Sequence, residues 1–350
     1  MLEKLTKPIL LISAMFFAVT STQVANAHDR GAKRAHSFPV CREVDIEVAL
    51  SQGQPEDQFI SGTLCRSSQH NDTVDILVHG ATYNREYWDF GYRRHRYSYV
   101  RTALHMGRNV FYYDRLGDGG SSRPDSTEVT MQADAEVLKQ VVDYMKNKEH
   151  FNQVNVIGHS FGSAASILAA SQSNDIDRLV VTSLLQSTGP ALINGELKQY
   201  PANQDPQFTG QGYDDGWLTS EPGNRSVFYD TASADPGVIA YDEDHKDVSS
   251  LTQVLDGRLL RTLPPETNPT ADLHMPVLII DGQNDSLYCG AELDCSNLTD
   301  VKAFIQPYYP NVSNLTVVTV PDTGHDINLH PSAWYSFLII NYWLKHTPVD

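Results

Sequence analysis

The residues of this chain best placed to do chemistry lie around one serine, in Gly158-His159-Ser160-Phe161-Gly162. The run Val154-Asn155-Val156-Ile157 feeds into it, and the small residues Ser163-Ala164-Ala165 leave it. A serine hydroxyl becomes a usable nucleophile when its backbone is forced through a tight strand-to-helix turn that presents Oγ at the end of a sheet. The glycines two residues either side suit such a turn, because a Cβ there would collide with the neighbouring strand and helix. The turn also sets the first helical N–H groups, that of Phe161 among them, beneath a developing oxyanion. The plainer alternative is a glycine-flanked turn that only starts a helix.

An acyl-transfer serine needs a base, an acid and a second oxyanion donor. Downstream, Pro276-Val277-Leu278-Ile279-Ile280 reads as a buried strand that ends in a turn holding Asp281 and Asp285. Further on, the strand run 315–320 leads into Pro321-Asp322-Thr323-Gly324-His325-Asp326. Upstream, Thr73-Val74-Asp75-Ile76-Leu77-Val78 runs into His79-Gly80-Ala81-Thr82, and 109–113 runs into Asp114-Arg115-Leu116-Gly117-Asp118-Gly119-Gly120-Ser121. Serine, then acid, then histidine, each just past a strand, resembles the chain order of the α/β-hydrolase superfamily. The His-Gly loop and the Asp-Arg-x-Gly-x-Gly-x-Ser turn are similar to further motifs of that superfamily, so five motifs agree between about residues 73 and 330.

The resemblance implies roles. Ser160 attacks an acyl carbonyl, and His325 takes its proton and later returns it to the leaving group. Asp285 fixes the imidazole, because the superfamily's acid usually sits a few residues past the strand. Asp281, at the strand end itself, is then expected to hold the turn. Ala81 and Phe161 supply the oxyanion N–H groups. His330 competes with His325 as base, its other reading being a capping or packing histidine. His159 is expected to point away from the other site residues, and His79 to shape the oxyanion loop. No metal or organic cofactor is expected.

The N-terminus bears on compartment. Lys4 and Lys7 precede an apolar run over 8–19, and Ala25-Asn26-Ala27 has the form of a signal-peptidase site. The run is short for a bilayer span, so residues 1–27 are read as a cleaved signal peptide rather than an anchor. Four cysteines fall in two local pairs. Cys41 and Cys65 bracket two alternating segments that can pair as a hairpin, and Cys289 and Cys295 close a small loop after Asp285. In an oxidising compartment both pairs are expected as disulfides. Asn71, Asn224, Asn297, Asn311 and Asn314 lie in glycosylation sequons. The formal net charge is −17, and losing Lys4, Lys7 and Glu3 with the signal segment makes it −18. Such a surface argues against nucleic acid or anionic membrane as the substrate. The basic stretch Arg93-Arg94-His95-Arg96 reads first as a carboxylate-paired face, with substrate steering as the alternative.

Buried runs at 73–78, 109–113, 153–157, 179–184, 276–281 and 315–320 supply six strands, with the N-terminal hairpin as an antiparallel edge. Helices are expected at 131–148, 160–170 and 331–345. The fold class is α/β: a mostly parallel twisted sheet of about eight strands with helices on both faces. The interval 186–268, rich in Gly, Pro, Asn, Asp and Tyr and with a helix near 247–260, reads as a cap inserted after the sixth strand. Residues 28–185 and 269–350 then form the two parts of the core. The aromatics Tyr200, Phe208, Tyr213, Trp217, Phe228 and Tyr229 could line a pocket or form the cap's own core. These features lead to an exported serine hydrolase of small carboxylic esters, lactones or thioesters. A hydrolase of an amide or carbon–carbon bond, or a non-catalytic binding protein of the same fold, is the alternative.

Overall fold

The computed structural model describes residues 39–69 and 71–349, so residues 1–27, expected as a signal peptide, lie outside the described residues. An antiparallel hairpin comes first. β1 (Val40–Val48) alternates exposed and buried residues toward its end and pairs along its length with β2 (Gln58–Arg66). Cys41 is the direct cross-strand partner of Cys65, and the two sulfurs are at bonding distance.

β3 (Thr73–Val78) follows, then the short helices α1 (Arg94–Tyr97) and α2 (Tyr99–His105), then β4 (Asn109–Tyr113). A capped helix α3 (Met131–Asn147), with Thr130 Oγ1 accepting the Ala133 N–H, leads to β5 (Gln153–His159), α4 (Phe161–Ser171) and β6 (Arg178–Thr182). All residues of β4 and β6 are buried. That is why these segments read as unbroken apolar runs: helices cover both faces of a parallel sheet. α3 and α4 pack on β5, and α2 packs against β4.

Between β6 and β10 lie α5 (Pro190–Ile193), β7 (Gln199–Pro201), β8 (Trp217–Ser220), α6 (Pro236–Asp244), β9 (Ser249–Ser250) and α7 (Leu251–Thr262). β7, β8 and β9 form a separate antiparallel sheet. The helix expected near 247–260 starts later, at Leu251. Ser250 and Gln253 form a reciprocal capping box there, and the two residues before it pair with β8 instead. Of the aromatics in this interval, Phe208, Tyr213 and Trp217 pack edge to face on one another. The chain closes with β10 (Val277–Gly282), α8 (Leu298–Ile305), β11 (Leu315–Val320) and α9 (Ala333–His346). The main sheet has eight strands in the order β1-β2-β4-β3-β5-β6-β10-β11, parallel from β4 onward. Among the described residues no helix is long and apolar enough to cross a membrane.

Candidate active site

The three side chains singled out in the sequence stand just beyond the carboxyl ends of β5, β10 and β11. Ser160 is the whole turn between β5 and α4, with φ 52° and ψ −115°. Such a conformation costs a residue with a side chain about 1–3 kcal/mol and persists only where the surroundings enforce it. Here the Ser160 N–H donates to the Thr182 carbonyl at 2.8 Å. A Cβ on Gly162 would run into the Val78 and His79 carbonyls, so only glycine lets α4 start so close to β3.

β11 and β10 bring in the other two groups. His325 Nε2 is 2.7 Å from Ser160 Oγ, and His325 Nδ1 is 2.8 Å from Asp285 Oδ2. Asp285 Oδ1 accepts the Leu287 N–H at 2.8 Å. Burial works to lower the His325 pKa, but the adjacent Asp285 carboxylate outweighs it and holds the imidazole above its ordinary value. Burial likewise opposes the charge on Asp285, and the facing imidazole wins, keeping that carboxyl below the usual range. Asp281, fully buried, is pushed well above the carboxylate range by desolvation and by the charge of Asp285. It accepts the Gly282 N–H at 2.7 Å and makes no bond to His325. Asp281 therefore braces the turn, whereas Asp285 is the carboxyl that faces the imidazole. The last turn of β6 supports the histidine from behind: the Ser183 hydroxyl donates to the His325 carbonyl at 2.6 Å. That contact explains why β6 stops at Thr182 and not at 184, since Ser183 turns away at φ 53°.

The other histidines are accounted for. His330 Nε2 accepts the Gly324 and Asp230 N–H groups at 3.1 and 3.0 Å, a packing role that fixes the His325 loop. His159 does not point away, as the sequence suggested; its ring lies 5.2 Å from that of His325. Its nitrogens contact Thr182 Oγ1 at 3.2 Å and Asp326 Oδ1 at 3.1 Å, not Ser160. Desolvation drives its pKa far down, so it stays neutral. His79 is neutral for the same reason, and it accepts the Arg115 N–H at 3.1 Å through Nε2. The basic stretch is partly carboxylate-paired: Arg93 with Asp235 at 2.9 Å, and Arg94 with Asp89.

Ala81 and Phe161 line the same cavity as Ser160, and their N–H groups have no hydrogen-bond partner among the described residues. The loop carrying Ala81 is held from both sides. Arg115, buried and paired with Asp134 at 2.9 Å, reaches the Gly80 carbonyl at 3.3 Å. Thr82 sits at φ 58°, its N–H 2.8 Å from Ser249 Oγ. Arg225, wholly buried, donates to Thr82 Oγ1 at 2.6 Å and the Thr82 carbonyl at 3.2 Å while gripping both Asp242 oxygens at 2.8 and 3.0 Å. The Tyr83 hydroxyl lies between Asp242 Oδ2 at 2.9 Å and Asp326 Oδ2 at 2.5 Å. Sequence reading missed this buried network. Its one visible signal was Asp326 next to His325; Arg225 and Asp242 sit in an interval with no motif.

An apolar cavity opens on Ser160 and His325, walled by Phe161, Leu184, Leu192, Phe228, Val254 and Leu287. Phe228 is thus the one aromatic of the interval 186–268 that lines it. No group of three or more metal-ligating side chains occurs among the described residues.

The model of the alpha/beta hydrolase family matches residues 76–336. The chain belongs to that family. No curated protein sequence matches it. Among solved structures, this α/β hydrolase is similar to a thermophilic esterase from Thermogutta terrifontis, at 17% identity and TM-score 0.58, over 87% of this chain and 98% of that one. It is similar to a soluble variant of a Saccharomyces cerevisiae monoglyceride lipase, at 17% identity and TM-score 0.57, over 87% and 97% of the two chains. A monoacylglycerol lipase from Paleococcus ferrophilus gives 14% identity and TM-score 0.55, over 81% and 98%. At these identities the likeness is one of fold.

Proposed function

We propose that this α/β hydrolase is an exported serine hydrolase that cleaves a carboxylic ester, lactone or thioester, without metal or organic cofactor. The observation that carries the reading is the relay from Ser160 Oγ through His325 to Asp285, at 2.7 and 2.8 Å, opening into an apolar cavity. His325 Nε2 takes the Ser160 proton as Oγ adds to the acyl carbonyl. Asp285 holds the tautomer with Nδ1–H toward it and stabilises the imidazolium that forms. The N–H groups of Ala81 and Phe161 receive the oxyanion. His325 returns the proton to the leaving alcohol, and water then releases the acid by the same steps in reverse order.

The structural neighbours named above as esterases and lipases support the ester-hydrolase class. The lining of the cavity by Leu192, Phe228 and Val254 supports residues 186–268 as a cap over the site. The signal-like segment 1–27 and the two cysteine pairs at bonding distance support export. Hydrolysis of p-nitrophenyl esters of graded acyl length, with Ser160→Ala alongside and an organophosphonate label, tests the reading. Turnover and labelling that vanish together in the variant are expected. A parent enzyme that neither turns over nor takes the label would overturn it in favour of a binding role. Labelling without ester turnover would redirect it to an amide or carbon–carbon bond.

A further inference from the structure

Helix α7 turns arginine inward beside its apolar residues. Its residues Val254, Gly257, Arg258 and Arg261, at helical spacings of three and four, line the cavity above Ser160. Three of its four leucines, Leu251, Leu255 and Leu259, are 43, 54 and 61% exposed, while Leu260 packs against the core. An amphipathic helix on a globular protein ordinarily turns its apolar stripe inward. Here the stripe toward an otherwise apolar cavity carries two guanidinium groups. A local choice that opposes the folding pattern points to a functional site.

The charge balance says the same. The chain has 43 acidic residues against 26 lysines and arginines, yet no aspartate or glutamate lines this cavity. Among the described residues neither Arg258 nor Arg261 forms an ion pair. Arg261 is held by the Ser187 carbonyl at 2.5 Å and Thr188 Oγ1 at 3.2 Å, two neutral oxygens. Glu292, the nearby candidate partner, instead accepts the Thr188 N–H at 2.8 Å. The Arg261 guanidinium lies 5.7 Å from the Tyr288 ring, and Tyr288 lines the same cavity as Ser160.

We infer that the substrate of this site is an ester bearing a carboxylate a few atoms from its scissile carbonyl, held by Arg258 and Arg261. The inference rests on Ser160 being the nucleophile. Apolar walls alone would admit neutral acyl chains; a half-buried Arg261 with Arg258 at the exposed rim gives a carboxylate charge-assisted hydrogen bonds.

The test compares matched esters on each side of the bond. On the acyl side they are p-nitrophenyl hemiglutarate and p-nitrophenyl valerate. On the alcohol side they are the butyrate esters of para-hydroxybenzoic acid and of its methyl ester. The anionic member of at least one pair is expected to have the higher kcat/KM by about tenfold or more at low salt, with the margin shrinking as salt rises. Arg258→Gln, at an exposed side chain, and Arg261→Lys should each narrow that ratio, and Arg258→Gln/Arg261→Gln should bring it to one or below. Neutral esters preferred in both pairs, or a ratio that the variants leave unmoved, would overturn the inference while leaving the serine-esterase reading intact. Failure to hydrolyse any of the four, without phosphonate labelling, would instead strike at the nucleophile itself.

Discussion

Arg225 offers the sharpest test of how the interval between β6 and β10 is tied to the site. Among the described residues it is the one cation in contact with a buried cluster of Asp242, Tyr83, Tyr229 and Thr82, with its guanidinium 3.9 Å above the Tyr83 ring. Burial already raises the Asp242 pKa, with Arg225 the chief opposing influence. Arg225→Met keeps the volume and deletes the charge, leaving a buried carboxylate with only hydroxyl partners. Breaking a buried pair from one side costs about 3–5 kcal/mol. The sign with pH follows from linkage. Without Arg225 the folded Asp242 carries a pKa further above its unfolded value, so the deficit is small near that unfolded value. It grows as pH rises from there toward the folded one. Urea unfolding at about pH 5 and about pH 7 should show the wider gap at the higher pH.

A second substitution separates charge from architecture. In Arg225→Met/Asp242→Asn the carboxylate is gone, and the amide oxygen still accepts from Tyr83 or Tyr229. Most of the stability should return, and its dependence on pH should flatten. Catalysis should not return with it, because the Arg225 bonds to Thr82 are still missing and Thr82 follows the Ala81 amide. A loss of about tenfold or more in kcat is expected in both variants, since a single oxyanion donor is worth about a hundredfold when removed outright. A single variant within about 1 kcal/mol of the parent, or a double variant no more stable than the single, would refute the reasoning.

The remaining expectations are more direct. Asp285→Asn should lower kcat by about a thousandfold or more by stabilising the wrong imidazole tautomer, whereas Asp281→Asn, at a carboxyl that makes no bond to His325, should stay within about tenfold of the parent. The activity of the parent should fall on the acid side with a midpoint above the ordinary histidine value, because Asp285 holds the His325 pKa up and only the neutral imidazole is a base. For stability the same pair acts oppositely: the His325 contribution is complete below its unfolded pKa and fades as pH rises through the folded one. Reducing Cys41–Cys65, which are 24 residues apart, should lower unfolding free energy by about 3 kcal/mol, and the Cys289–Cys295 bond, with a separation of 6, by about 2. Urea titration with and without reductant checks both, and equal losses would argue against loop closure as the cause.

The positions of Ser160, Asp285 and His325 could be read in the sequence because each follows a strand rich in β-branched residues, and a strand end is a place where topology leaves little freedom. The glycines at 158 and 162 speak for the same reason: close approach of backbone to backbone admits no other residue. What stayed hidden was the network of Arg225, Asp242, Tyr83 and Asp326, and the cause is physical. Buried polar clusters are satisfied by partners far apart in the chain, here 143 residues between Arg225 and Thr82 and 243 between Tyr83 and Asp326. Neither periodicity nor spacing records such partners. The same limit misplaced His159, whose ring direction depends on Asp326, 167 residues away. The apolar spacing of helix α7 locates the helix but does not say which face meets the cavity, because that cavity takes arginine where packing alone would place leucine. If that exchange serves a carboxylate, then Arg258→Leu/Arg261→Leu, which restores the ordinary pattern, should raise stability while abolishing the preference for anionic esters. A variant that instead loses stability would show the arginines to be structural.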